Sequence, residues 1–315
     1  MKVIAADNGV TVQGLPVTGG MSVGRAAGGA VDQLALAEAA ALLARAVAPA
    51  IELAGGGVTL VAQCPTNVAL TGAVRKASID GIPVVWNAAH PVAAGQVIRI
   101  GAGNGYAYFS VSKGDLKVGA VLTGDEIVVA PSDPKPAVVL RQPNREGGGT
   151  VRVVAGPQTK LFSDVAIADF TGTKFRKGAR SNRQGVEVAH DSVLITAPDQ
   201  KSLVSDFITV GDVQLTGDGR PYVLMADCQT IGGYPRIGTV IPADIPVIAQ
   251  AAIGSEIRFA FVPLDQADRT LSDPHQLAKA LGSEVTALVR NPADIADLLS
   301  YQLISGAITG DEPWL

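Results

Sequence analysis

Three tight-turn dipeptides, each set between Val- and Ile-rich runs, constrain this chain more than any other feature. Asp80-Gly81 separates KASI from IPVVW, Asn104-Gly105 separates VIRI from YAYFSV, and Asp218-Gly219 falls between DVQL and PYVLM. Asn-Gly and Asp-Gly supply the positive φ angles of tight hairpins, so each pair predicts a β-hairpin. Short runs of the same character recur at close spacing: GVTLVA, VRVVAG, SVLITA and EIRFAFV. Strands this short and frequent are the pattern of barrels or sandwiches, not of alternating βα units. The expected fold is all-β with a few helices.

Two stretches break the pattern. Asp32 to about Val47 (DQLALAEAAALLARAV) opens on a capping Asp and continues in good helix formers. From about Asp273 to Ser305, Leu, Ala and Val recur at helical spacing, split by Gly282 and Pro292. Residues 131–149 (PSDPKPAVVLRQPNREGGG) are rich first in Pro and then in Gly. They mark the expected boundary between two β domains, 1–145 and 146–315. The alanine-rich segment 34–54 reads as a soluble helix and not a membrane span, because Glu38, Arg45 and Glu52 interrupt it and Pro49 breaks it.

Composition removes several functional classes. The 315 residues can bury sizeable cores, and with 47% apolar but only 4% aromatic residues those cores must come from Val, Ile, Leu and Ala. A net charge of −4 offers no basic footprint for nucleic acid or an anionic membrane. The start, MKVIAADNGV, lacks the apolar core of a signal peptide, and Cys64 and Cys228 make no disulfide framework, so a cytoplasmic setting is expected. His90, His190 and His275 have no ligand spacing with one another or with either cysteine, so no metal site is expected. The run GAGNG, 101–105, looks like half a nucleotide fingerprint but lies between strands, where a hairpin turn explains it. GGYPRIG lacks the lysine and hydroxyl of a phosphate-binding loop. Cys228, with no base identifiable beside it, reads as a packing residue.

Two polar clusters remain. The segment LMADCQTIGGYPRIGTV, 224–240, holds Asp227, Gln229, Thr230, Gly232, Gly233 and Tyr234 between apolar runs. A polar connector accounts for the glycines but does not require Asp, Gln and Tyr together. As a pocket floor the set makes chemical sense. The Gln229 amide offers donor and acceptor to a lactam or urea edge. Asp227 can accept an N–H, act as a base or hold Mg²⁺. Gly232-Gly233 lets backbone N–H groups approach an oxyanion. The second cluster, ARSNRQG at 179–185, offers the Arg183 fork for carboxylate or phosphate, with Ser181 and Asn182 as short donors. Taken alone, that cluster reads as a solvated turn with one surface arginine.

These residues also carry a resemblance. Residues 212–259 resemble the C-terminal half of the biotin-dependent carboxyltransferase-like family, which includes the C subunit of 5-oxoprolinase, allophanate hydrolase subunit 2 and KipA-like proteins. The matching positions are Gly219-Arg220-Pro221, Leu224-Met225, Asp227, Gln229-Thr230, Gly232-Gly233-Tyr234-Pro235 and Ala243-Asp244-Ile245. SNRQG at 181–185, Gly156-Pro157, Thr11-Val12-Gln13 and GGAVD at 28–32 extend it over most of the chain. The amino half departs from the pattern: Gly14 stands where the family has Asp, and SVSKGDLKVG, 110–119, is reduced.

The resemblance implies two cyclophilin-like β-barrel domains. It implies a subunit of an ATP-dependent lactam hydrolase that opens 5-oxoproline to glutamate. The partners would be a B-like subunit, similar to allophanate hydrolase subunit 1, and an A-like subunit, with ATP and Mg²⁺ used by the complex. Asp227 and Gln229 would then orient or activate the lactam amide, while Arg183 and the Gly232-Gly233 backbone hold phosphate or carboxylate. Asp32 would complete the site from the other domain, with Asn182, Thr230 and Tyr234 lining it. Two alternatives stand beside this: a carboxyltransferase component of a biotin-dependent urea or amide carboxylase, and a non-catalytic regulatory binding subunit.

Overall fold

In the computed structural model of the chain, residues 1–141, 147–190, 195–196 and 203–288 are described. The amino half is built mainly from two antiparallel sheets, with a short ribbon of Gly114–Asp115 and Val128–Val129 beside them. Lys2–Ala6, Val58–Val61, Val97–Ile100, Ala77–Ile79 and Ile82–Pro83 form the smaller one in that spatial order. The larger runs Gly119–Ala120, Val10–Gln13, Ala50–Ala54, Tyr106–Val111, Thr66–Gly72, Ala88–Val92, Val138–Val139 and Thr286–Ala287. Strand alternation explains how they pack. Ile51, Leu53, Leu70 and Phe109 point from the large sheet onto Val3, Leu60 and Ile98 of the small one. On the other face of the large sheet, Ala50, Tyr106 and Tyr108 join the core of the carboxyl half.

The carboxyl half closes as a seven-strand barrel. Its order is Gly149–Val154, Arg236–Val240, Asp212–Leu215, Pro221–Leu224, Gly185–Ala189, Phe175–Ser181 and Glu256–Phe261. The first and last of these pair in parallel to shut it. Phe170 stacks on Phe259 at 4.6 Å between centroids, with Phe175 edge-on to Phe259 at 5.5 Å. The all-β expectation therefore holds, with a closed barrel in the carboxyl half and two facing sheets in the amino half.

The first expected helix forms over Gln33–Leu42, capped by Asp32 Oδ1 on the Ala35 N–H at 3.2 Å. It stops short of Val47, the chain turning at Ala44 with a φ of 48°. Ala35 to Leu42 are all buried, because small side chains let this helix lie flat against the large sheet and the helix Pro274–Gly282.

Asp80-Gly81 and Asp218-Gly219 turn hairpins as expected. Asn104-Gly105 does not. Val97–Ile100 already pairs on one side with Val58–Val61 and on the other with Ala77–Ile79. With no edge free, residues 101–105 cross instead to the other sheet, where Tyr106–Val111 begins.

The second expected helix breaks at Gly282 as expected, but the described residues that follow the break are not helical. It covers Pro274–Gly282, and Thr286–Ala287 is a strand paired with Val138–Val139. This part of the tail thus lies against the amino half, not the barrel. The continuation of that helix past residue 288, Pro292 included, and most of the strand expected at SVLITA lie outside the described residues. Among the described residues no helix is long and apolar enough to cross a membrane.

Candidate functional site

The seam between the halves is organised around a carboxylate in the middle of an apolar strand. Glu52 lies in Ala50–Ala54 directly opposite Tyr108, so both side chains leave the large sheet on the face toward the barrel. Glu52 is fully buried. Its Oε2 accepts from the Tyr108 hydroxyl at 2.6 Å and from the Val31 N–H at 3.0 Å. Its Oε1 accepts from Arg183 Nη1, a donor that reaches across from the barrel. Burial pushes the Glu52 carboxyl up, and Arg183, the Tyr108 hydroxyl and the Val31 N–H each pull it partway back.

Arg183 sits at the tip of the turn joining Phe175–Ser181 to Gly185–Ala189. Asn182 shapes that turn, its Oδ1 accepting from the N–H groups of Gln184 at 2.7 Å and Gly185 at 3.3 Å. The guanidinium makes a two-pronged contact with Asp227, Nε to Oδ2 at 2.7 Å and Nη2 to Oδ1 at 2.8 Å. Nη2 also donates to the Gly29 carbonyl of the amino half at 2.9 Å. Burial works to lower the Arg183 pKa, but the hydrogen bonds and charges of Asp227 and Glu52 outweigh it, so the group is held above its ordinary value.

A second bridge runs beside the first. Gln250, at the end of the helix Ile245–Gln250, donates to Asp32 Oδ2 at 2.8 Å and to the Tyr106 carbonyl at 2.9 Å, and accepts from the Tyr106 N–H at 2.8 Å. Gly105 makes room for it: a Cβ there would stand 2.4 Å from Gln250 Oε1. The Tyr108 hydroxyl joins the two bridges, accepting from the Asp32 N–H at 2.8 Å while it donates to Glu52. Burial, with Glu52 and Asp32 nearby, drives its pKa well up, so it remains a hydroxyl donor.

Against this network opens a cavity of about 750 Å³ between the halves. Gly28, Val31 and Leu34 line it from one side, Val210, Ala226 and Ile245 from the other, and Gln250 also lines it. The cavity is thus one residue removed from both Asp32 and Asp227. Largely apolar clefts with a few placed polar groups, set between domains, are where small ligands bind.

The sequence profile of the carboxyltransferase domain family, subdomains A and B, matches residues 23–124 and 107–261. The chain belongs to this family. It is 30% identical over 268 residues to the C subunit of 5-oxoprolinase from Haemophilus influenzae, spanning 76% of this chain and 84% of that relative. It is 29% identical over 305 residues to the C subunit of 5-oxoprolinase from Escherichia coli, spanning 89% and 97%. The crystal structure of Kluyveromyces lactis urea amidolyase superposes with a TM-score of 0.75 at 18% identity, over 90% of this chain but only 20% of that longer one, and shows the shared fold.

Within this carboxyltransferase-family chain, the residues singled out from sequence divide into two groups. Arg183, Asp227 and Asn182 come together, and Asp32 joins them through Tyr108 and Gln250. Gln229 is exposed a short step beyond Asp227. Gly232 belongs to a two-strand ribbon in which Ile231–Gly232 pairs with Asp206–Phe207. Thr230 is buried at the base of that ribbon, its carbonyl accepting from Ile208, while Tyr234 is 46% exposed. None of Asp227, Gln229, Thr230, Gly232, Gly233 or Tyr234 lines the cavity wall itself.

Cys228 packs on Ile208 and Leu224, and burial, with Asp212 and Asp227 nearby, pushes its thiol up to about 11, which fits a packing residue. Sequence reasoning missed Glu52, Tyr108 and Gln250. The available signal was Glu52 itself, a carboxylate inside AIELA, read only as an interruption of an apolar segment.

Proposed function

We propose that this chain is the C-type subunit of an ATP-dependent lactam hydrolase of the 5-oxoprolinase kind, opening 5-oxoproline to glutamate in the cytoplasm. It works with a B-like subunit, similar to allophanate hydrolase subunit 1, and an A-like subunit. One observation carries the reading: a forked Arg183–Asp227 pair, anchored by buried Glu52, sits at the seam of the two halves beside the cavity.

A lactam presents an N–H next to a C=O. The Asp227 carboxylate spends two lone-pair directions on Arg183 and, with its side chain 45% exposed, has others to offer an N–H. Gln229, exposed on the same segment, supplies amide donor and carbonyl acceptor for the other edge. Glu52, Tyr108 and Gln250 fix this arrangement from beneath, so the polar groups are oriented before a ligand arrives.

Ring opening adds water across the C–N bond, and ATP, when bound by the complex, activates the otherwise unreactive amide. The described residues do not by themselves make up an ATP–Mg²⁺ site. Among the described residues no group of three or more His, Cys, Asp or Glu is placed to hold a metal, and the 101–105 glycine run crosses between sheets without opening a helix. ATP is assigned to the complex as a whole, without assigning its contacts to this chain or to a partner.

Reconstitution with the B-like and A-like subunits tests the proposal. ATP-coupled formation of glutamate from 5-oxoproline should depend on this chain, and equal rates without it would contradict the reading. The fold shared with urea amidolyase favours a second reading, in which the same N–C=O edge is carboxylated from biotin. Carboxyl transfer to urea or another amide without glutamate formation would select it. The engagement of Asp227 by Arg183 favours a third, a regulatory binding subunit, marked by tight assembly with no turnover of either kind.

A further inference from the structure

The loop that crosses between the two amino-half sheets closes over a buried cation. Arg75 lies in the link between Thr66–Gly72 and Ala77–Ile79 and is only 6% exposed. Its Nη2 donates to the carbonyls of Gly105 at 2.8 Å and Leu53 at 3.4 Å. Its Nε and Nη1 are buried and meet no acceptor among the described residues. No carboxylate among those residues offsets it, and burial alone lowers its pKa to about 10. Arg152, Arg183 and Arg236, by contrast, each rest on carboxylates. Burying a guanidinium with N–H groups unspent is costly, and such a group calls for an explanation, an acceptor brought by a bound ion being one.

The surroundings suit such a ligand. Two glycine-rich loops, 55–57 and 101–105, meet beside Arg75, the Gly103 N–H donating to the Gly55 carbonyl at 2.9 Å. Gly103 lies so close that a Cβ there would stand 2.1 Å from Arg75 Nη1. Only a glycine lets the backbone lie on the guanidinium in this way. Residues 101–104 are exposed, so the cover over Arg75 is a surface loop and not part of the core. A guanidinium beside exposed glycine backbone is the chemistry that recognises small oxyanions.

We propose that Arg75 and the two glycine-rich loops form a subsite for a phosphate or carboxylate group, entered by displacement of residues 101–104. It adjoins the Gln250 bridge through Gly105 but does not rest on the lactam reading. The test is thermal unfolding of the full chain with inorganic phosphate, and separately with acetate, at ionic strength matched by chloride. The wild type should show a saturable rise in Tm with at least one anion, and the better of the two identifies the chemistry. Arg75→Met should lose that rise. Should Arg75→Met fail to fold, hydrogen exchange in the wild type decides: the effective anion should slow exchange in residues 101–105. No anion-dependent change in wild-type Tm or in that exchange, or an equal rise in Arg75→Met, overturns the subsite.

Discussion

Replacing Arg183 with Met asks whether the seam between the halves is held by a buried charge pair. Glu52 is fully buried, and after the substitution it keeps only two neutral donors, the Tyr108 hydroxyl and the Val31 N–H. Breaking a buried pair by removing one partner costs about 3–5 kcal/mol. The Asp227 arm contributes little to that sum, since its carboxylate is 45% exposed and such pairs are worth about 1 kcal/mol or less.

For 315 residues unfolding together, at about 2.1 cal/mol/K per residue, the loss lowers Tm by about 5–8 °C. Glu52→Gln alone turns an amide N–H toward Arg183 and should cost about 1–3 kcal/mol. In the double variant neither an unpaired charge nor opposed donors remain. It should be at least about 2 kcal/mol more stable than the sum of the single losses predicts.

The pH dependence has a definite sign. Burial already raises the Glu52 carboxyl, and loss of Arg183 raises it further. A carboxyl raised in the folded state contributes stability at low pH that is lost as pH rises through the folded value. The Arg183→Met deficit should therefore be larger at about pH 8 than at about pH 5. Urea and thermal unfolding of the four proteins at both pH values measure all of this. An Arg183→Met cost below about 1 kcal/mol, with no coupling to Glu52→Gln, would show that the buried pair does not hold the seam.

Two further outcomes follow from the same structure. Lys177 is 7% exposed with Nζ on the Ala249 carbonyl at 2.7 Å, and burial lowers its pKa from 10.5 to about 8. The unfolded chain then binds the extra proton between those values, so stability should rise with pH across that window by up to about 3 kcal/mol. Lys177→Met should abolish the rise in urea unfolding, and a flat wild type would contradict it. Gly105→Ala places a Cβ on Gln250 Oε1 at a φ of 73° and should cost about 2–4 kcal/mol by thermal unfolding, whereas a change under about 0.5 kcal/mol would show that Gln250 does not lock the halves.

What could be read from sequence was what is decided locally. The Asp32 cap and the two Asp-Gly hairpins depend on dihedral preference and nearby hydrogen bonds, and all three form. The Asn104-Gly105 hairpin failed because its outcome depends on whether the edges of Val97–Ile100 are free, a property of the whole sheet. Thr286–Ala287 became a strand for the corresponding reason, since the edge of Val138–Val139 was available.

At the site, residue chemistry singled out Arg183 and Asp227 separately, for different roles, and did not foresee that they pair with each other across 44 residues of sequence. Glu52 and Gln250 stayed hidden because each is a single polar residue in an apolar run, and Tyr108 because a tyrosine in the strand YAYFSV reads as core. Their common purpose exists only where the two halves touch.

If a small amide docks where the Arg183–Asp227 fork meets the seam, the residues beside that fork must govern turnover. The decisive quantity is the rate of 5-oxoproline opening by the reconstituted complex carrying Asp227→Ala or Gln229→Ala. Gln229 is exposed, so its loss should leave Tm and assembly unchanged while kcat/KM falls about tenfold or more. Asp227→Ala should lower it by about a hundredfold, the loss of one charge-assisted contact to the reacting edge. Both variants turning over at the wild-type rate within an intact complex would place the amide elsewhere.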